Sequence, residues 1–243
     1  AAPFVNAVLR SFIRDDKKFA LPKDRLQKFC VEYSCSADLA KKLIDQYGED
    51  KASEFLKRSL EPHKLYLRVN NTKIDCGLLA AEFEKSGIAV KRCELLDNCL
   101  EAEPIGSVEN NELFKKGYYH IQDLSSQLCC AALEPKKGEK ILDICSAPGG
   151  KAFTITEMAG DECELYACEL HDKRVKLIKN GAERLGLKSI KALQNDAKVY
   201  NESFPKFDKI LCDVPCSGTG VIRSKPEIKY ADLKKFEGLP KIQ

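Results

Sequence analysis

The stretch "ILDICSAPGGKAF", residues 141–153, decides how the chain is read. Its first half is an apolar run ending at Asp143, and Pro148-Gly149-Gly150 then bends the chain tightly into a helical pattern. In α/β sheets, ligands sit at the carboxyl ends of strands, beside such turns. Glycines there let a ligand approach the backbone closely. The same rhythm continues downstream. "EKILDIC" reads as a strand, "GGKAFTITEMAG" as a helix, "ELYACEL" as a strand and "DKRVKLIKNGAERLG" as a long amphipathic helix, after which "SIKALQND" and "FDKILCDV" complete four strands. Apolar strands alternating with helices predict a parallel, doubly wound, Rossmann-like α/β sheet, because parallel strands need crossover helices.

The turn itself excludes two common ligands. A phosphate-gripping loop requires G-x-x-x-x-G-K-[ST]. Here Cys145 stands at the first glycine and Ala152 replaces the metal-binding hydroxyl. The dinucleotide fingerprint G-x-G-x-x-G is absent as well. Acids, however, end four successive strands: Asp143, Glu169, Asp196 and Asp213. Glu169 follows Gly149 by 20 residues, where a carboxylate reaches a ribose hydroxyl pair. Such a rim suits an adenosine ligand with a positive centre and no phosphates, which describes S-adenosylmethionine. Helix capping accounts for any one of these acids more easily than for the set.

The bulk properties bound the class. With 243 residues, 44% apolar and 32% charged, the chain can form one large domain or two modest ones. No stretch approaches a membrane-spanning length. Net charge is only +3, so basic clusters matter more than their sum. The twelve cysteines include no C-x-x-C pair, and with three histidines no metal site is expected. Free thiols in a reducing cytoplasm are the expectation, and a monomer. The chain has no initiator Met and reads as beginning inside a longer gene product.

Residues 1–62 read as helical. Val5, Val8, Leu9 and Phe12 share one face, "SADLAKKLIDQYG" stops at Gly48, and "KASEFLKRSLEP" ends ahead of Pro62. Residues 63–120 read as a small α/β module: "KLYLRVN" alternates like a strand, "CGLLAAEFEKSG" is a helix, and short strands follow. Arg68, Asn70, Asn71 and Lys73 could meet a phosphate backbone, or form a solvated rim. Residues 121–243 hold the cofactor sheet, opening on a helix capped by Asp123 or Ser125.

"LDICSAPGGK" (142–151) together with "DVPCSGTG" (213–220) resembles the RNA cytosine-5 methyltransferases, in the branch acting on bacterial 16S ribosomal RNA. The resemblance runs over nearly the whole chain. "FVNAVLR" is similar to the end of a NusB-like helical domain, "YLRVNNTKID" and "YYHIQDLSSQ" to an RNA-recognition-like module, and "GVIRSKPEIKY" to the loop after the cysteine. It implies that Cys145, Ser146, Ala147, Pro148, Gly149, Gly150, Lys151, Glu169, Asp196 and Asp213 hold S-adenosylmethionine. It also tilts Arg68 and Lys73 towards RNA. The basic stretch Arg223, Lys225 and Lys229, directly after the cysteine loop, is expected to grip the strand beside the target base.

Carbon-5 of cytosine is a poor nucleophile, so the chemistry needs a thiolate to add at carbon-6 and an acid near the ring nitrogen. Asp213 is the candidate acid. Cys216 is the obvious thiol, yet the resemblance gives the attack to a later Thr-Cys motif and product release to the Pro-Cys thiol. No Thr-Cys dipeptide occurs in the 243 residues, which implies that the attacking strand lies past Gln243. Cys145 is implied to line the pocket. Two other readings stand beside this one. A non-catalytic RNA-binding or ribosome-assembly module would keep the fold without turnover. An amino-group methyltransferase would want Pro-Pro and an aromatic where Pro215-Cys216-Ser217 stands.

Overall fold

The computed structural model describes residues 2–15 and 20–243; residues 1 and 16–19 of the helical segment read from the sequence lie outside the described residues. Two compact units form. One gathers the chain up to His63 with Ser217–Gly238, the other Lys64–Cys216 with Leu239–Gln243. The sequence boundaries had grouped residues 217–238 with the cofactor sheet. Instead, Ile222, Ile228 and Leu233 join the core of the helical unit.

That unit contains α1 (Ala2–Arg14), α2 (Arg25–Tyr33), α3 (Ala37–Tyr47) and α4 (Glu49–Arg58). Polar caps set the starts: Asp24 accepts from the Gln27 N–H, and Ser36 from the Leu39 N–H. Phe29, Leu39, Ala40 and Leu56 supply the core. The apolar residues Val5, Val8 and Leu9 of α1 are exposed.

The second unit has two cores. The first belongs to an antiparallel sheet of β1 (Leu65–Val69), β2 (Val90–Arg92), β3 (Cys99–Ala102) and β4 (Tyr119–Ile121), in the order β2-β3-β1-β4. α5 (Cys76–Lys85) and the short α6 (Glu112–Lys115) accompany it. Leu67 and Val69 alternate inward against Leu79, Phe83, Leu100 and Tyr119. Asp123 accepts from the Ser125 N–H and starts α7 (Leu124–Ala132).

The second core surrounds a parallel sheet. Its strands are β5 (Lys140–Asp143), β6 (Glu164–Glu169), β7 (Ile190–Gln194) and β8 (Lys209–Leu211), in the order β7-β6-β5-β8. α8 (Gly150–Met158) and α9 (Asp172–Leu185) are the crossovers. Ile141, Leu165, Ala167, Ile155 and Ile178 are buried between sheet and helices. Burying each large aliphatic side chain contributes about 1.5–3 kcal/mol. From β5 the chain runs outward through β6 and β7, then returns to β8 on the other side of β5. The strand order reverses between β5 and β8, and in open α/β sheets ligands bind at that reversal.

A polar seam joins the two cores, and it claims residues that the sequence reading had offered to RNA. Arg68 is 2% exposed, and its Nε donates to Glu157 Oε2 on α8 at 3.2 Å. A guanidinium so buried cannot reach a phosphate. The Lys73 Nζ donates to the carbonyls of Lys116 and Arg184. Asn70, fully buried, donates to the carbonyls of Gly117 and Leu185 and accepts from Thr72. Arg184 completes the seam, donating to the Phe114 and Tyr119 carbonyls with its guanidinium 3.7 Å from the Phe114 ring centre. In the helical unit, Lys229 is likewise internal: it is 2% exposed and donates to the Tyr33 carbonyl. Arg223 bonds the Glu61 side chain and the Glu61 and Pro62 carbonyls, while Lys225 is exposed.

Candidate active site

The four acids stand where the sheet topology directs a ligand. Asp143 is the last residue of β5 and Glu169 the last of β6, while Asp196 and Asp213 follow β7 and β8 by two residues. They differ sharply in setting. Asp143 is 1% exposed, and neither carboxylate oxygen has a hydrogen-bond partner. Burial pushes its pKa up to about 6, against the pull of the Ser146 hydroxyl and Cys145 N–H, which lie near without making well-directed bonds. Glu169 accepts from the His171 N–H and pairs with Arg174 at 3.1 Å. Asp196 is partly exposed and accepts from the Lys198 N–H.

The turn between β5 and α8 is tightly made. The Ser146 N–H donates to the Cys168 carbonyl and the Gly149 N–H to the Ser146 carbonyl, each at 2.8 Å. The Ala147–Pro148 peptide is cis. Gly149 has φ +111°, and a Cβ there would stand 2.3 Å from the Phe153 ring, so only glycine fits. Ser146, Ala147 and Gly149 are buried, Cys145, Gly150 and Lys151 half-buried, and Pro148 exposed. Burial, then the neighbouring Asp143, Glu169 and Asp213 charges, raise the Cys145 thiol pKa. Cys145 is therefore held as a neutral thiol, which suits a lining role rather than attack.

Lys151 joins this turn to the Pro-Cys loop. Its Nζ donates to Asp213 Oδ2 at 2.6 Å. Burial alone would lower the ammonium's pKa, but the hydrogen bond and charge of Asp213 outweigh it and hold it above the ordinary value. Cys216 is exposed, three residues beyond Asp213. Sequence reasoning missed Arg174, which pairs with Glu169 and also donates to the Ala147 carbonyl at 2.9 Å, clamping rim to turn. It missed Gly181 too, whose open face on α9 receives the Phe153 ring. A glycine inside an otherwise amphipathic helix was the available signal.

All twelve cysteines are free thiols, and among the described residues no group of three or more His, Cys, Asp or Glu is arranged to hold a metal. No helix among the described residues is long and apolar enough to cross a membrane. Comparison with known proteins matches residues 130–239 to the family model described as 16S rRNA methyltransferase RsmB/F. Residues 37–109 match the RsmF/B-like ferredoxin-like domain. Over these two stretches the chain is similar to the RsmB/F family.

The chain is similar to the probable ribosomal RNA small subunit methyltransferase B of Bacillus subtilis (strain 168). Identity is 40% over 232 residues, covering 94% of this chain and 52% of that protein. With the ribosomal RNA small subunit methyltransferase B of Escherichia coli O17:K52:H18 it is 31% over 243 residues, covering 98% and 54%. Among solved structures, PH0851 aligns with a TM-score of 0.81 and 27% identity, over 87% of this chain and 48% of that one. The chain spans about half the length of the curated relatives it matches.

Proposed function

We propose that the protein transfers a methyl group from S-adenosylmethionine to carbon-5 of a cytosine in 16S ribosomal RNA, in the cytoplasm, through a covalent cysteine adduct. The carrying observation is the 2.6 Å contact of Lys151 with Asp213, which ties the glycine turn to the Pro-Cys loop in one site. The residues present fit the cofactor. Asp143 and Ser146 offer buried polar atoms without partners beside the turn, as a polar ligand requires. Glu169 spends one oxygen on a backbone N–H and one on Arg174, leaving lone pairs for a ribose diol. Asp196 suits the adenine side of the rim.

Bound S-adenosylmethionine would supply an electrophilic methyl group. A protein thiolate adds to carbon-6 of the cytosine and makes carbon-5 nucleophilic; after transfer, a base takes the carbon-5 proton and elimination returns the thiolate. Asp213 positions the Lys151 ammonium, whose positive charge stabilises the negative charge that builds at the ring nitrogen as the thiolate adds. By family resemblance, the attacking thiol belongs to a Thr-Cys motif and Cys216 assists release. The exposed Lys225 is the basic residue of the post-cysteine loop best suited to meet the RNA backbone.

The test uses the intact protein with 16S ribosomal RNA. Methyl transfer to cytosine and a covalent adduct with 5-fluorocytidine RNA are expected, and Cys216→Ser should accumulate adduct on ordinary RNA. RNA binding without any methyl transfer or adduct would instead establish the non-catalytic assembly module.

A further inference from the structure

Gln122 lies between β4 and α7, outside the acid rim, and no step described above uses it. The residue is 7% exposed. Gln122 Oε1 accepts from the Thr154 hydroxyl on α8 at 2.6 Å. Thr154 has a single hydroxyl proton, and giving it to Gln122 turns the amide carbonyl towards α8. His120 Nε2, 3.2 Å away, then serves as donor to Thr154 Oγ1. The amide NH2 faces the opposite way. Nε2 has no partner, and it lies 3.6 Å from where a Cβ on Gly150 would stand.

Gly150 opens α8, a helix of nine residues, within the turn 145–151. The first N–H groups of a helix lack intrahelical partners, and its dipole favours negative charge there. Two independent features thus converge on one point: a helix N-terminus and a buried, unpartnered amide donor aimed at it. The missing side chain at Gly150 keeps the space between them open. Asp143, the rim acid whose carboxylate has no partner, would repel an anion, so the negative end of a ligand belongs on the Gln122 side. We propose that Gln122 is a further cofactor-binding residue, whose Nε2 donates to the carboxylate at the amino-acid end of S-adenosylmethionine. This rests on the cofactor reading above and adds a ligand contact from the loop that follows the small sheet.

Calorimetric titration of the intact protein tests it with S-adenosylmethionine and its decarboxylated analogue. Gln122→Glu keeps the acceptor for Thr154 and replaces only the NH2. Gln122→Met removes the amide. Losing one charge-assisted hydrogen bond predicts about 10-fold weaker S-adenosylmethionine binding for Gln122→Met and a larger loss for Gln122→Glu. The decarboxylated analogue should bind wild type and Gln122→Met equally well, which also reports that the site is folded. Equal weakening for both ligands, or no weakening for either, would overturn the proposal. A wild-type protein that binds neither ligand would overturn the cofactor reading itself.

Discussion

Replacing Gly181 with alanine should destabilise the chain, against the usual effect of that substitution in a helix. Alanine inside a helix is ordinarily favoured over glycine by about 1 kcal/mol. At position 181, however, the new Cβ would stand 2.4 Å from Phe153 Cζ and 2.7 Å from Cε2, more than an ångström inside normal contact. The ring has no room to retreat. It is buried, it lies edge-on to His120, and the same ring tip also fills the notch over Gly149. Overpacking of this kind costs about 1–3 kcal/mol, so the net loss should be about 1 kcal/mol. Urea unfolding followed by far-UV circular dichroism measures it. The decisive comparison is a cycle with Phe153→Leu, which shortens the offending side chain. In that background Gly181→Ala should turn stabilising, because the helical preference remains and the clash does not. A stabilising Gly181→Ala in the wild-type background would refute the wedge.

The Asp143 carboxyl, pushed up to about 6 from 3.8, keeps its proton in the folded chain where the unfolded chain has lost it. Its stabilising contribution is therefore complete below about pH 4 and lost as pH rises through about 6, and Asp143→Asn should gain on wild type by up to about 3 kcal/mol at neutral pH. Urea midpoints across pH 4–8 check this, and a pH-independent difference would contradict it. Asn70→Ala leaves two buried carbonyls without donors and should cost about 3 kcal/mol in the same assay. Iodoacetamide with mass mapping should label the exposed Cys129, Cys212 and Cys216 first. Cys99, Cys130 and Cys168, whose thiols burial pushes up to about 12, should react only on unfolding.

What was legible in the sequence was whatever repeats locally. Strands β5 to β8 and their helices follow from apolar runs alternating with 3.6-residue patterns, and the rim acids from their positions after those runs. Asp123 and Ser36 are caps readable from residue type alone. The unread features depend on distant partners. On β1, Arg68 alternates away from Leu67 and Val69, so a local reading sends it to solvent or RNA. Its actual partner, Glu157, lies 89 residues along the chain and covers that face. The basic loop failed in the same way, since Ile222, Ile228 and the Lys229 stem pack against α2 and α3 rather than presenting a continuous charged face. Glu157 carried a signal that could have been used: a carboxylate in the apolar helix "GGKAFTITEMAG" demands a buried partner.

That partner has a consequence for the site. α8 begins at Gly150 in the glycine turn and carries Glu157 in its last turn, so the helix is a strut of about 13 Å between turn and seam. Arg68 of the small sheet holds the far end, at 3.2 Å from the Glu157 carboxylate. Arg68→Met would leave Glu157, which is fully buried, without its strongest partner. Breaking one side of a buried pair costs about 3–5 kcal/mol, whereas replacing both sides with apolar residues is often neutral. The double variant Arg68→Met/Glu157→Leu should therefore recover most of the stability lost by Arg68→Met. If the strut positions the turn, the recovered variant should still bind cofactor several-fold more weakly than wild type, because apolar packing does not fix the helix end as an ion pair does. Stability and affinity recovering together would mean that the seam only stabilises the fold, and that the glycine turn holds its shape through the Cys168, Ser146 and Arg174 hydrogen bonds alone.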